Sequence, residues 1–564
     1  MEKKSDDHRP ARRRDGKAKE ERMGRAGVVL ILCLFTLPFL VFLFGGRPGA
    51  PAVWRNAAKL TATAGSGSGN VSRPSAAGGA DELFGGLLAL GSDRRACQSR
   101  YQSPRYYKHS PHAPSPHLLQ KLRDYEARHR RCGPGTPPYA RSVDHLRSAA
   151  GGGSSTEDDE CSYVVWIPYN GLGNRMLSLL STFLYALLTG RVLLVHTTDD
   201  FTDLFCEPFP GGTWALPPDF PVADMSRLGA RSNQSYGNLL DGKRIASDDP
   251  GRATARSVPA YVYLHLAHDL RRSDRRFYCN DDQLVLAKVN WLLLQNDFYF
   301  VPALYDMAEF EGELRRLFPA KESVSHLLGR YLFHPSNSVW GMTTRYYHSY
   351  LAQAEERIGV QIRMFPLASI PVDDMYDQLM ACSRQERILP DVDDDEANTT
   401  SAAADGSSKS KAILIASLQG EYYERIKLRY YEHAAEGGGR VGVFQPSHEE
   451  RQTMGQRSHN QKALAEIYLL SFSDVLLTTG VSTFGYMSSS LAGLRPTMLM
   501  IAKDHKVPET PCVRAVSMEP CFHMTPDVKC QGKAVNKEEL ARHVKECEDV
   551  PKGMKWIKGI KLVD

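Results

Sequence analysis

The chain has 564 residues, of which 42% are apolar and 24% charged, and it carries a formal net charge of +5. This length accommodates several domains with sizeable cores, and the ordinary apolar content excludes a polytopic membrane protein and a wholly disordered chain. Residues 1–25 hold ten Lys and Arg against six Asp and Glu, so four of the five charges lie in this basic arm. Because the rest of the chain is nearly neutral, nucleic acid is not expected as a partner.

A single apolar run, residues 26–44, follows the arm and lies between Arg25 and Arg47. Nineteen helical residues span about 28 Å, close to a hydrocarbon core of about 30 Å. The run therefore predicts one transmembrane signal anchor, with the basic arm in the cytosol and the remaining chain in the secretory lumen. A cleaved signal peptide is the alternative, because the small residues 49–52 resemble a cleavage site. Residues 45–80 are rich in Gly, Ala, Ser and Pro and predict a flexible stem.

Cysteines and sequons agree with a lumenal location. Ten of the 11 cysteines follow the apolar run, and an even number in an oxidising compartment predicts disulfides, although their pairing cannot be deduced. No C-x-x-C pair is present, so a structural zinc site is not expected. The acidic cluster at 393–395 is not expected to bind a metal either, because it lies in a predicted surface loop, 391–410, without a rigid framework. The N-x-S/T triplets predict glycosylation at Asn70, Asn233 and Asn398.

The body of the chain alternates predicted strands and helices. Short apolar runs predict strands over 163–168, 191–197, 261–267, 358–365, 412–417, 441–445, 475–479 and 497–502. Longer patterns predict helices over 174–188, 281–295, 421–435, 461–472 and 484–491. This alternation indicates an α/β fold with parallel, doubly wound sheets. Two such halves place a ligand in the cleft between them, at the carboxyl ends of the strands.

Three strand ends carry groups that suit an anion. Between the first strand and helix, Gly171 and Gly173 permit close backbone approach, and the following Asn174 and Arg175 add an amide and a fixed cation. The alternative is that these glycines only form a tight connection between strand and helix.

Near the end of the 358–365 strand, Gln361 and Arg363 interrupt an apolar run. Arg363 either reaches a phosphate or faces water as an edge-strand or ion-paired residue.

The third strand end is the Thr/Gly/Ser turn after the 475–479 strand. Ser482 and Thr483 either face a ligand or cap the helix that follows. The turn also resembles the G-x-S-x-G nucleophile elbow of serine hydrolases, but Phe484 stands where that motif needs its second glycine. Three such turns together favour a nucleotide diphosphate between two Rossmann-like halves.

Taken in order, several segments resemble the plant xyloglucan-type galactoside 2-α-L-fucosyltransferases. The resemblance covers about residue 81 to the C-terminus, and its main blocks are N-G-L-G-N-R (170–175), W-L-L-L-Q-N-D (291–297), L-G-R-Y-L-F-H-P (328–335), G-V-Q-I-R-M-F (359–365), F-Q-P-S-H-E-E (444–450) and S-T-F-G-Y (482–486).

The resemblance implies a Golgi type II membrane enzyme with a GT-B-like fold, in which two Rossmann-like domains, 81–355 and 356–564, face each other across a cleft. It implies inverting transfer of L-fucose from GDP-β-L-fucose to the 2-hydroxyl of a terminal galactose on a cell-wall glycan such as xyloglucan, without a cofactor or metal. Arabinogalactan-protein glycans are an alternative acceptor, and whether the enzyme forms a homo-oligomer is left open.

Carried over by position, the resemblance also assigns the site. Arg363 binds the pyrophosphate, helped by residues of the first and third turns. The other substrate-binding residues that it implies are Gly171, Gly173, Asn174, Arg175, Gln361, Ser482, Thr483, Phe484, Gly485 and Tyr486. Gln445, Ser447 and Glu449 are expected near the guanosine. The acceptor hydroxyl must lose a proton, and Asp297 is the candidate base; a loop-anchoring or acceptor-binding carboxylate is its alternative. A lumenal glycan-binding protein without turnover is the rival from a different class.

Overall fold

The computed structural model describes residues 83–564 with gaps at 90, 92, 150–159, 198–200, 223, 246–258, 393–408, 437–438, 454, 525–527, 531–532, 535–541 and 552–558. The predicted arm, apolar run and stem, the sequons at Asn70 and Asn398, and the acidic cluster at 393–395 lie outside these residues. Within the described part of the chain, no helix has both the length and the apolar character required to cross a bilayer.

The strands and helices alternate along most of the chain. The strands are β1 Tyr163–Ile167, β2 Val192–Val195, β3 Tyr261–His265, β4 Trp291–Gln295, β5 Glu356–Ile362, β6 Lys411–Ser417, β7 Val441–Phe444, β8 Val475–Thr479, β9 Thr497–Leu499, β10 Cys512–Arg514, β11 Lys529–Cys530, β12 Lys533–Ala534, β13 Val544–Glu546 and β14 Ile560–Leu562. The α-helices are α1 Gln98–Gln102, α2 Pro116–Cys132, α3 Pro137–Ala149, α4 Leu172–Thr189, α5 Phe201–Leu204, α6 Tyr236–Asp241, α7 Asn280–Leu286, α8 Val301–Leu304, α9 Ala308–Leu317, α10 Val324–Leu332, α11 Asn337–Tyr346, α12 Val372–Glu386, α13 Glu421–Glu432, α14 Arg457–Ser471 and α15 Thr483–Ala492.

Two parallel sheets carry the architecture. The first has the order β2-β1-β4-β3, and the second has the order β10-β9-β8-β5-β6-β7, in which only the edge pair β10–β9 is antiparallel. Every residue of β1 and β4 is buried, as expected for central strands of a parallel sheet covered on both faces. The α/β class and the doubly wound arrangement are therefore confirmed.

The prediction of one helix over 281–295 is wrong. Helix α7 ends at Leu286, and residues 291–295 form β4, which lies between β1 and β3 with Trp291 beside both Tyr163 and Tyr261. The segment Trp-Leu-Leu-Leu-Gln has helix-forming side chains, but its position at the centre of a buried sheet overrides that local preference.

Helices pack between the two sheets in one continuous core. Residues of α4, α10, α14 and α15 belong to the same buried cluster. Helix α4 starts at Leu172 after Gly171 and ends at Thr189, and the following Gly190, with a φ of +66°, provides a left-handed cap. Helix α15 starts after Ser482, whose Oγ accepts from the Gly485 N–H at 3.4 Å. The first residues of both helices, Leu172 and Thr483, line one cavity.

All ten described cysteines form disulfides, which confirms that prediction and supplies the pairing. The bonds are Cys97–Cys206, Cys132–Cys161, Cys279–Cys530, Cys382–Cys512 and Cys521–Cys547. Asn233 is exposed in a turn, and the last residue of its sequon, Ser235, caps α6 by accepting from the Asn238 N–H at 3.3 Å. Glycosylation at Asn233 stays a prediction.

Candidate active site

A cavity of about 520 Å³ opens where the carboxyl ends of strands from both sheets meet. This size suits a small-molecule ligand. Of the residues predicted for the site, those on its lining are Gly171, Gly173, Asn174, Arg175, Asp297, Gln361, Arg363, Ser447, Glu449, Ser482, Thr483 and Phe484. Gln445, Gly485 and Tyr486 are not on the lining. Residues that the sequence reasoning did not select also line it, including His268, Gln452, Lys462 and Glu466.

The first and third turns touch each other across the cleft. The Thr483 hydroxyl donates to Asn174 Oδ1 at 3.1 Å. A Cβ on Gly173 would lie 2.7 Å from Thr483 Oγ1 and 2.9 Å from the Phe484 nitrogen, so only glycine allows this approach. As a result, the N-termini of α4 and α15 lie side by side, and their unpaired N–H groups offer one anion site.

Arg363 lies one residue beyond β5, at the mouth of the cavity. Its backbone N–H donates to Thr479 Oγ1 at 2.9 Å, which ties the end of β5 to β8, and its Nη2 donates to Gln452 Oε1 at 2.7 Å. Burial lowers the pKa of Arg363, although a guanidinium stays charged at any physiological pH. The partner that Arg363 has here is a neutral amide, which a phosphate oxygen would outcompete.

Arg175 has a different setting. It is nearly fully buried, and its guanidinium lies 5.7 Å from the centre of the Phe201 ring in a cation–π contact. It contributes positive charge to the cavity wall from the first turn of α4 and packs against the core at the same time.

Asp297 is held from three sides. It is 2% exposed. One carboxylate oxygen accepts from Asn170 Nδ2 at 2.6 Å and lies 2.8 Å from His268 Nδ1, and the other accepts from the His268 N–H at 3.1 Å. Burial raises the pKa of Asp297, and hydrogen bonds from His268 and Asn170 oppose that rise.

His268 is the exposed member of this pair. Its side chain is 55% exposed, lines the cavity and stacks on Tyr169. Since Nδ1 faces Asp297, Nε2 is the nitrogen that can accept a proton. The sequence carried a signal for His268, because it follows the predicted 261–267 strand directly, and the carboxyl ends of parallel strands share one edge of the sheet.

Acidic and basic groups meet at the other end of the cavity. Glu449 pairs with Lys462 and lies 3.5 Å from His459 Nδ1, and the Lys462 hydrogen bond lowers the pKa of Glu449. Glu466 is buried against Ser447, whose Oγ donates to it at 2.5 Å. Burial raises the pKa of Glu466 to about 7. Gln445 lies behind this wall, where its Nε2 donates to the Ser417 carbonyl at 3.1 Å.

One group of potential metal-binding side chains occurs in the described part of the chain. Among the described residues, the one group of three close enough to share an ion is Cys521, Cys547 and Asp549. The two cysteines are joined in a disulfide, so their sulfurs are not available as thiolate ligands.

Comparisons with known proteins place this site in a family. Residues 56–531 match the family model described as xyloglucan fucosyltransferase. The chain is 48% identical to a galactoside 2-alpha-L-fucosyltransferase of Pisum sativum over 486 residues, 86% of this chain and 82% of the relative. It is 45% identical to one of Arabidopsis thaliana over 479 residues, 85% of this chain and 83% of the relative.

A solved structure supports the same assignment. A variant of Arabidopsis thaliana FUT1 in complex with GDP is 44% identical, covers 86% of this chain and 100% of its own, and superposes with a TM-score of 0.76. The fold is thus that of an α/β glycosyltransferase, and the sequence resemblance is confirmed. The chain is a fucosyltransferase that belongs to the xyloglucan fucosyltransferase family.

Proposed function

We propose that this enzyme transfers L-fucose from GDP-β-L-fucose to the 2-hydroxyl of a terminal galactose on a plant cell-wall glycan such as xyloglucan, with inversion at the fucose carbon. The observation that carries this proposal is that one cavity brings together Arg363, two helix N-termini and the Asp297–His268 pair. An anion site and a proton acceptor in one cavity are what displacement of a nucleoside diphosphate by a hydroxyl requires.

The leaving diphosphate is stabilised by groups that are fixed before the reaction. Arg363 releases the Gln452 side chain and forms two hydrogen bonds to the pyrophosphate. The N–H groups at the starts of α4 and α15 add partial positive charge that needs no reorganisation. These groups belong to the chain, so we propose that transfer needs no bound metal or cofactor.

The acceptor hydroxyl gives its proton to His268 Nε2. Asp297 accepts from Nδ1, fixes the tautomer with Nε2 unprotonated and stabilises the imidazolium that forms. Both Asp297 oxygens already accept hydrogen bonds, so the carboxylate orients the histidine instead of meeting the sugar. In this assignment Asp297 is still required for transfer, but His268, not Asp297, accepts the proton.

The guanosine lies toward Ser447 and Glu449. This end of the cavity holds carboxylates, and guanine presents neighbouring N–H donors that carboxylates accept.

The wider organisation is also proposed. An anchor at 26–44 holds residues 45–80 as a stem and 81–564 in the Golgi lumen, and the lumenal part divides near residue 356 into an acceptor-side domain and a nucleotide-sugar domain in a GT-B-like arrangement. The two separate parallel sheets, β1–β4 and β5–β10, support this division, and five disulfides support an oxidising compartment.

The test is an acceptor panel. The full chain is incubated with GDP-fucose and either galactosylated xyloglucan, the same xyloglucan after galactosidase treatment, or arabinogalactan, and GDP release and product linkage are measured. The proposal expects an α-1,2-fucosylated galactose product on the first acceptor alone. Product on arabinogalactan alone would identify arabinogalactan-protein glycans as the acceptor in place of xyloglucan. Binding of GDP-fucose without any product would support a glycan-binding protein that has no transferase activity.

A further inference from the structure

The turn that begins α15 has an unfavourable backbone conformation. Val481 has a φ of +62°. A β-branched side chain in the left-handed region clashes with its own backbone, and such a conformation persists only where surrounding contacts impose it. Ser482, Thr483 and Phe484, which line the cavity, follow directly, so the direction of the chain at Val481 sets where they point.

A carboxylate far along the chain imposes this conformation. The Val481 N–H donates to Asp549 Oδ2 at 2.7 Å. The same oxygen accepts from the Tyr486 hydroxyl, one turn into α15, and Asp549 is 1% exposed. One buried oxygen therefore fixes both the turn and the helix that follows it.

The C-terminal segment is built to bring Asp549 to this place. Strands β13 and β14 pair on either side of it, and the disulfide Cys521–Cys547 holds the segment two residues before Asp549. Gly480 lets it come close, because a Cβ at 480 would lie 2.9 Å from Asp549 Cβ and 3.1 Å from its carbonyl oxygen.

We propose that Asp549 is a positioning residue for the nucleotide: by holding Val481 in the left-handed conformation, it directs the N-terminus of α15 at the diphosphate. Asp549 is not on the cavity lining, so it acts through the turn. This inference rests on the proposed function in taking GDP as the ligand.

The experiment measures GDP binding by calorimetry with the full chain and three variants, Asp549→Ala, Val481→Gly and the double variant. Asp549→Ala is expected to weaken GDP binding roughly tenfold, since the strain of a left-handed β-branched residue is then free to relax the turn. Glycine adopts positive φ without that strain. In the Val481→Gly background, the same loss of Asp549 is therefore expected to change GDP binding less than threefold.

The neighbouring Glu548 is the matched control. Its carboxylate accepts the backbone N–H of Val516 at 2.6 Å and pairs with Lys561 at 3.4 Å, whereas Asp549 is the residue that binds Val481. Glu548→Ala is expected to lower the melting temperature and to leave GDP binding unchanged. Asp549→Asn, which keeps one acceptor oxygen for Val481, is expected to restore most of the affinity.

The outcomes separate this inference from the proposed function. GDP binding by the native chain together with an unchanged Kd in Asp549→Ala, or an equal loss in both backgrounds, overturns the inference alone. Absence of GDP binding by the native chain overturns the proposed function and this inference with it. Should Asp549→Ala fail to fold, the double variant decides: folding and binding like Val481→Gly support the positioning role, and failure to fold contradicts it.

Discussion

Asp297→Asn is the sharpest perturbation of the proposed proton transfer. The carboxylate meets three donors in the structure: Asn170 Nδ2 at 2.6 Å, the His268 N–H at 3.1 Å and His268 Nδ1 at 2.8 Å. An asparagine offers one acceptor oxygen and one NH₂ group in the same volume. Its NH₂ must therefore face at least one of these donors.

The expected magnitude follows from which donor the new NH₂ meets. Facing His268 Nδ1, it favours the tautomer with a proton on Nε2, which cannot accept a proton from the sugar. General base catalysis contributes about 10²- to 10⁴-fold in rate, and at about 1.36 kcal/mol for each factor of ten this loss corresponds to roughly 3–5 kcal/mol in the activation free energy.

The assay is the initial rate of GDP release at saturating GDP-fucose and acceptor, with GDP affinity and melting temperature measured alongside. Asp297→Asn is expected to lower kcat by at least a hundredfold with GDP affinity within a few-fold of native. Asp269→Asn is the control, because Asp269 also pairs with a histidine, His265, at 2.7 Å, but is 58% exposed. An Asp297→Asn enzyme that folds normally and keeps more than half of the native kcat would refute the reasoning.

Three further predictions concern the diphosphate site, metal dependence and pH. Arg363→Ala is expected to lower kcat about 10²- to 10³-fold at an unchanged melting temperature, and a folded variant with more than half the native rate would contradict its role. Transfer is expected to continue in EDTA; complete loss that manganese restores would show that a metal is needed. Burial raises the pKa of Glu519 from 4.5 to about 7. Between these two pH values the carboxyl is ionised in the unfolded chain but still protonated in the native fold, so stability falls with rising pH, by about 3 kcal/mol at 1.36 kcal/mol per pH unit. Glu519→Gln is expected to remove this contribution and so to reduce the loss of stability with rising pH. Melting temperatures at pH 5 and pH 8 measure this, and equal slopes for native and variant would count against it.

Local sequence patterns predicted those strands and helices whose local conformational preference matches their position in the fold. Val475–Thr479 is a strand at its predicted bounds, and α4 and α15 begin within two residues of theirs. A parallel sheet covered on both faces needs short apolar runs, and the sequence shows those runs directly. The predicted turns also meet in space, because carboxyl ends of parallel strands share one edge of a sheet.

The pattern failed where tertiary position decides the conformation. Residues 281–286 are helical, as predicted, but 291–295 form a central strand. Leucine and glutamine favour helix locally, and no glycine or proline marks the break between the two elements. These five residues are extended because β1 and β3 pair with β4 along its whole length.

The donor site depends on contacts that no local pattern carries. The prediction placed Tyr486 against the ligand, whereas the structure turns its hydroxyl to Asp549, 63 residues away in the sequence. His268 could have been predicted from the sequence, since it lies at a strand end. Asp549 could not, because it lies among short C-terminal strands that a disulfide and an antiparallel strand pair bring next to the turn. The motif S-T-F-G-Y therefore supplies three residues of the cavity lining, while the proposed positioning role of Asp549 depends on a chain segment that reaches the turn only after folding. For this reason, substitutions in the C-terminal segment should be judged by their effect on the turn at Val481 as well as by their own burial.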